Sequence, residues 1–164
     1  MSFPFTELAI KGVFILRASA YTDHRGWLIE TFRQDWLFAL GLTQLQPAMS
    51  YISMTYPNTA RGPHEHRLQT DWLAFLGPSD FQVFLWDNRS ASPTFKNHLQ
   101  LTLGENNPSV LIVPNGVVHG YKNIGEKPGL VLNYPNRLYR GWNRSEPVDE
   151  IRYEDDPNSP FRID

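Results

Sequence analysis

The chain reads as an all-β barrel or sandwich. Short apolar stretches recur at close spacing, turn residues separate them, and the composition (13% aromatic, 11 Gly and 13 Pro in 164 residues) favours short strands over long helices. Residues 8–16 read as the first strand and 26–32 as the second. Helical spacing occurs over 33–40, where Gly41 supplies the stop. Strands then follow at 49–55, 60–64, 70–76, 81–87, 98–103, 110–113, 118–123 and 130–133. Turn residues such as Pro57-Asn58, Gly77-Pro78 and Pro114-Asn115-Gly116 divide them. In the 81–87 strand, Phe81, Val83 and Leu85 face one way and Phe84 and Trp86 the other, so both faces need cover, from a second layer or a subunit partner. Beyond Tyr139 the chain turns acidic yet keeps Trp142 and Tyr153 as anchors, which predicts a packed C-terminal extension. No repeat divides the sequence, and its length predicts one domain over 1–164.

The composition excludes several classes of function. A net charge of −2 argues against a nucleic-acid protein that works by phosphate neutralisation. The absence of cysteine removes disulfides, thiolate metal sites and cysteine nucleophiles, and fits a reducing compartment. No apolar run approaches the ~18 residues of a membrane span, and the N-terminal residues 1–7 lack the layout of a signal peptide. A soluble cytoplasmic protein with no membrane partner is expected.

Three of the five histidines stand out. His64 and His66 lie two apart in Arg61-Gly62-Pro63-His64-Glu65-His66-Arg67, and on an extended strand both imidazoles share one face. His119 follows the Pro114-Asn115-Gly116 turn, with Val117 and Tyr121 on its side. Protonatable groups clustered in this way raise one another's cost of charging, a feature of functional sites more than of ordinary cores.

The spacing His-x-His-x4-acid (His64, His66, Asp71) followed by Pro-x-Gly-x2-His-x3-Asn (Pro114, Gly116, His119, Asn123) resembles the two cupin motifs, with Asp71 where Glu is usual. Over most of its length the chain resembles the dTDP-4-dehydrorhamnose 3,5-epimerase family. The matching pieces are 23–32, Arg61 to His64, Asp87 to Arg89 with Ser92 to Phe95, Pro114 to Tyr121, and Asp156-Pro157. The resemblance implies a cupin jelly-roll barrel with a short helix near its N-terminus and a C-terminal extension, working as a homodimer. It also implies an isomerase that takes a dTDP-linked 4-keto-6-deoxy sugar without metal or other cofactor. Proton removal beside the ketone gives an enolate, and a proton returned to the opposite face inverts the carbon; a base titrating near neutrality, such as His, suits the first step.

By match to the family's motifs, His64 is the base, oriented by Asp155 or Asp156, and Tyr139 is the proton donor. Arg25, Glu30 and Arg61 hold the nucleotide diphosphate, and His66 and His119 line the pocket. Two departures matter. The stretch 69–73 lacks the family's Lys, and Asn133 stands where the family has its acidic Tyr. These changes admit a single-centre epimerase. They also admit a nucleotide-sugar 3,4-ketoisomerase, to which Arg61 to Arg67 is similar, or a sugar-nucleotide-binding barrel without activity. A metal-dependent enzyme using His64, His66, Asp71 and His119 is a further alternative.

Overall fold

The computed structural model describes residues 5–164, so the first four residues of the N-terminal stretch read above lie outside the described part. In chain order the strands are β1 (Phe5–Glu7), β2 (Phe14–Arg17), β3 (Tyr21–Asp23), β4 (Gly26–Leu28), β5 (Tyr51–Thr55), β6 (Ala60–Glu65) and β7 (Asp71–Gly77). They continue with β8 (Asp80–Asp87), β9 (His98–Gly104), β10 (Ser109–Val113), β11 (Val117–Asn123), β12 (Gly129–Asn133) and β13 (Ile151–Arg152). The helix α1 (Gln34–Leu40) lies between β4 and β5. Arg33 is its N-cap, and Gly41 closes it at φ 67°, a left-handed conformation that glycine adopts without steric cost.

Two antiparallel sheets face each other. One has the order β1-β2-β10-β7-β12-β5 and the other β13-β6-β11-β8-β9; β3 and β4 form a separate two-stranded ribbon. Period-2 alternation explains the core. Leu73, Phe75, Leu111, Val113 and Val131 of the first sheet meet Phe81, Val83, Leu85, Leu103 and Val117 of the second. The residues between them point outward: Trp72, Ala74, Val110 and Ile112 pack with Leu37 of α1, so the helix covers the outer face of the larger sheet. Trp72 packs edge-on to Phe5 and Phe32 and stacks on Trp36. The outer aromatics of β8 are also covered from within the chain. Phe84 stacks on Trp86, Trp86 on His98, and the C-terminal Phe161 packs against Trp86 and Tyr153. That strand therefore needs no subunit partner, which removes the sequence-based motive for one there.

Three expectations are corrected. Residues 8–16 are not one strand: β1 and β2 pair as a hairpin around a turn in which Leu8 N–H donates to Val13 O at 2.8 Å and Gly12 takes φ 81°. The 26–32 strand shortens to β4, which pairs with β3 and leaves Tyr21, Trp27 and Leu28 about 60% exposed. Trp142 anchors nothing, being 74% exposed at the mouth of a cavity, whereas Tyr153 is held through Phe161 and a hydroxyl bond to Glu65. Among the described residues, no helix is long and apolar enough to cross a membrane.

Candidate active site

One end of the sandwich opens into a cavity of about 980 Å³, walled by β5, β6, β7, β11 and β12 and roofed by residues 135–154. His64 on β6 and His119 on β11 are cross-strand partners, and His66 follows β6 immediately. The three rings meet with centroid separations of 4.6 Å (His64 to His119), 5.6 Å (His64 to His66) and 5.9 Å (His66 to His119). Gly62, at φ 82°, is required beside them. A Cβ there would stand 2.7 Å from His119 O and 3.0 Å from His64 Nδ1.

Asp71, at the start of β7, reaches this cluster from the opposite sheet. Its Oδ2 lies 3.2 Å from His66 Nε2 and 3.1 Å from His119 Nε2. Its Oδ1 accepts from Gln69 Nε2 and from Asn133 Nδ2, each at 2.8 Å. Asn133 also donates to the Tyr51 hydroxyl at 2.9 Å and accepts the Trp72 backbone N–H at 3.1 Å, so it is a buried brace. His119 Nδ1 donates to Val117 O at 3.0 Å, and His66 Nδ1 to Asp149 O. The Asp149 carboxylate takes the backbone N–H groups of Arg67, Leu68 and Gln69, which fixes the loop between His66 and Asp71.

These surroundings split the titration of the histidines. Burial, with His119 and His66 alongside, pushes His64 down to about 2, so it rests as a neutral imidazole. Burial also opposes charge on His66, but the hydrogen bond and charge of Asp71 outweigh it and push that ring up to about 9. Burial acts upward on Asp71 too, and the bonds from His119 and His66 overcome it, holding the carboxyl well below the usual range. Burial and the Asp71 charge push the Tyr51 hydroxyl up to about 12, so it stays protonated.

Of the residues singled out from the sequence, His64, His66, His119, Asp71, Asn133, Arg61 and Tyr139 all line this cavity. Arg61 has two donors committed to β5, Nε to the Thr55 hydroxyl (3.0 Å) and Nη2 to Met54 O (2.8 Å). Asp155 and Asp156 do not line the cavity; both are exposed past β13. The carboxylate beside His64 is Glu150, whose Oε1 is 3.7 Å from Nδ1 while Oε2 accepts from Arg152 Nε at 3.0 Å. The short strand β13 carries it there by pairing Arg152 with His64. Arg25 and Glu30 also lie apart from the cavity. Arg25 sits at the tip of the β3–β4 ribbon, 2.5 Å from Asp23, and Glu30 pairs with Arg33 at 3.0 Å. Sequence reading missed Glu150, Asp149 and Tyr51. Tyr51 had a signal: Tyr51, Ser53 and Thr55 alternate with Ile52 and Met54, marking a polar face.

Two antiparallel sheets closed around a polar, imidazole-lined mouth define a cupin-type barrel. A family model described as dTDP-4-dehydrorhamnose 3,5-epimerase matches residues 7–147. A probable low-salt glycan biosynthesis epimerase, Agl13, of Haloferax volcanii is 40% identical over 118 residues, 71% of this chain and 72% of that protein. The spore coat polysaccharide biosynthesis protein SpsL of Bacillus subtilis is 31% identical over 159 residues, 93% of this chain and 99% of its own length. Among solved structures, a dTDP sugar isomerase from Desulfovibrio desulfuricans superposes with TM-score 0.80 at 25% identity, covering 96% of this chain and 94% of that one. The chain belongs to the dTDP-4-dehydrorhamnose 3,5-epimerase family, a family of isomerases.

Proposed function

We propose that the protein epimerises a dTDP-linked 4-keto-6-deoxy sugar at carbon 3, carbon 5 or both, in polysaccharide or glycan biosynthesis. The observation that carries this reading is His64. It is 18% exposed and lines a cavity of sugar-nucleotide size, with the Glu150 carboxylate 3.7 Å from its Nδ1 to stabilise the imidazolium formed on proton abstraction. The carbanion resonates onto the carbon 4 oxygen, and the His66 ring, kept charged by Asp71, supplies positive charge on that side of the cavity. The returning proton comes from Tyr51. Tyr51 is the cross-strand partner of Asn133, so a hydroxyl lies beside the position where the family carries its acid. Tyr139 lines the part of the cavity formed by residues 135–154 and is assigned to substrate contact.

The same reading includes a homodimer. β5 is an edge strand whose Ile52 and Met54 are exposed while Tyr51 and Ser53 line the cavity. An exposed apolar edge invites pairing, and the equally exposed β3–β4 ribbon is a suitable occupant from a second copy. Docked there, its tip would bring Arg25 to the neighbouring cavity, where planar paired donors suit a diphosphate. The cytoplasmic setting that a cysteine-free chain fits belongs to this reading too.

Incubation with a dTDP-4-keto-6-deoxy sugar, followed by proton NMR, tests the proposal. Inverted configuration at carbon 3 or 5 is the expected result. A 3-keto product would identify a ketoisomerase, and tight binding with no product a binding module.

A further inference from the structure

We propose that Tyr153, Glu65 and Asn88 form a closed hydrogen-bond triangle that sets Glu150 against His64, which makes Tyr153 and Glu65 positioning residues for the base. Glu65 follows His64 on β6, and an extended strand turns successive side chains to opposite faces. It is 8% exposed and does not line the cavity. Among the described residues it makes no ion pair. A carboxylate buried without a cation is costly unless hydrogen bonds satisfy it.

The triangle supplies those bonds. The Tyr153 hydroxyl donates to Glu65 Oε1 at 3.1 Å, and Asn88 Nδ2 donates to Glu65 Oε2 and to the Tyr153 oxygen, each at 3.2 Å. An amide nitrogen carries two hydrogens and a phenol one, so every donor is used and the direction of each bond is fixed. Burial and the Glu65 charge push the Tyr153 hydroxyl up to about 12, so it keeps the proton it donates. The triangle joins β6, the loop after β8 and the segment after β13.

Its place in the chain gives it a task. β13 is two residues long, with Ile151 opposite Glu65 and Arg152 opposite His64. A ladder that short is marginal by itself. Upstream of it, the Asp149 carboxylate on three backbone N–H groups fixes one end of the segment that carries Glu150. Downstream, the N–H groups of Tyr153 and Glu154 donate to Pro63 O at 2.9 Å and 3.2 Å, and the Tyr153 hydroxyl reaches Glu65. Phe161 of the C-terminal tail packs edge-on against the phenol ring, 4.8 Å between centroids. Because His64 and Glu65 are neighbours on one strand, the bond that ties Tyr153 to Glu65 also ties Glu150 to His64.

The catalytic consequence rests on the epimerase reading. Proton exchange into the keto sugar is measured for Tyr153→Phe, which keeps the aromatic ring and loses only the hydroxyl, with the fold checked by circular dichroism. We expect kcat for exchange lower by ~10-fold or more with KM unchanged, since displacing a catalytic group by about 1 Å can cost ~10²-fold. In a Glu150→Gln background the same substitution should cost no more than about twofold, because its effect passes through Glu150, whereas a residue that only supports the fold costs the same in both backgrounds. Glu65→Leu should behave like Tyr153→Phe. Glu65→Gln should restore most of the rate, since its amide oxygen accepts from Asn88 while its nitrogen donates to the Tyr153 oxygen. Imidazole nitrogen NMR reads the geometry without turnover: the His64 resonances should move in Tyr153→Phe in the direction they move in Glu150→Gln. Unmoved His64 resonances, or an equal loss of rate in both backgrounds, would overturn the positioning role. Resonances that move as expected in a protein that exchanges no proton would overturn the epimerase reading and leave the positioning role standing.

Discussion

Replacing Glu150 by Gln removes one negative charge and keeps the shape of the side chain. Two unit charges 3.7 Å apart, the Glu150 to His64 separation, attract by about 4.5 kcal/mol at an effective dielectric of 20 and about 1 kcal/mol in water. The side chains are 14% and 18% exposed, so the environment lies between those limits. A loss of about 2–3 kcal/mol in stabilising the His64 imidazolium corresponds to a rate lower by roughly 30- to 150-fold. The assay is the rate of carbon-bound proton exchange into the keto sugar at saturating substrate. Folding should be nearly unaffected, because the Arg152 partner is 56% exposed and such pairs contribute about 0–1 kcal/mol. Asp155→Asn and Asp156→Asn should exchange at the rate of the unaltered protein. Glu150→Gln at full rate, or an equal loss in Asp155→Asn, would refute the assignment of Glu150 to His64.

Tyr51→Phe should retain exchange yet lose inversion by ~10²–10⁴-fold, the usual worth of a general acid, whereas Tyr139→Phe keeps inversion; proton NMR separates the two outcomes. The Asp87 carboxylate is 2% exposed and accepts from Arg89, Ser92 and Thr94. Burial acts upward on it, but those bonds hold it far below the usual range. Its folded pKa being depressed, it stabilises the chain above the unfolded value of about 3.9, and that contribution fades as pH falls below it. Denaturant midpoints should therefore fall less steeply with acid in Asp87→Asn than in the unaltered chain. Trp27→Arg with Leu28→Arg should convert a dimer to a monomer in sedimentation and reduce activity, since the ribbon would no longer deliver Arg25.

Most of the barrel was legible because each core strand carries its own period-2 record. β8, β9, β10 and β11 begin and end within a residue of the sequence reading. The reading failed where tertiary context decides. Residues 8–16 are apolar enough for one strand, but Gly12 in a left-handed conformation folds them into a hairpin. The histidine cluster could be read from spacing, since the positions 64 and 66 share a face whatever the sheet. Glu150 could not, because β13 is two residues long and its register against His64 is set by a segment without hydrophobic periodicity. Glu150 and the five acidic residues near it, Glu146, Asp149, Glu154, Asp155 and Asp156, look alike in sequence. Arg25 and Glu30 matched a motif by order, and order alone does not say that a ribbon carries Arg25, and an ion pair with Arg33 holds Glu30, away from the cavity of their own chain.

Incubation of the keto sugar in D₂O with the unaltered protein and with His64→Ala shows whether His64 removes the proton beside the ketone. Deuterium is expected at carbon 3, carbon 5 or both with the unaltered protein, and exchange lower by ~10²–10⁴-fold in His64→Ala with the fold intact. Exchange at full rate in His64→Ala, or none in the unaltered protein while it binds the sugar nucleotide, would contradict it.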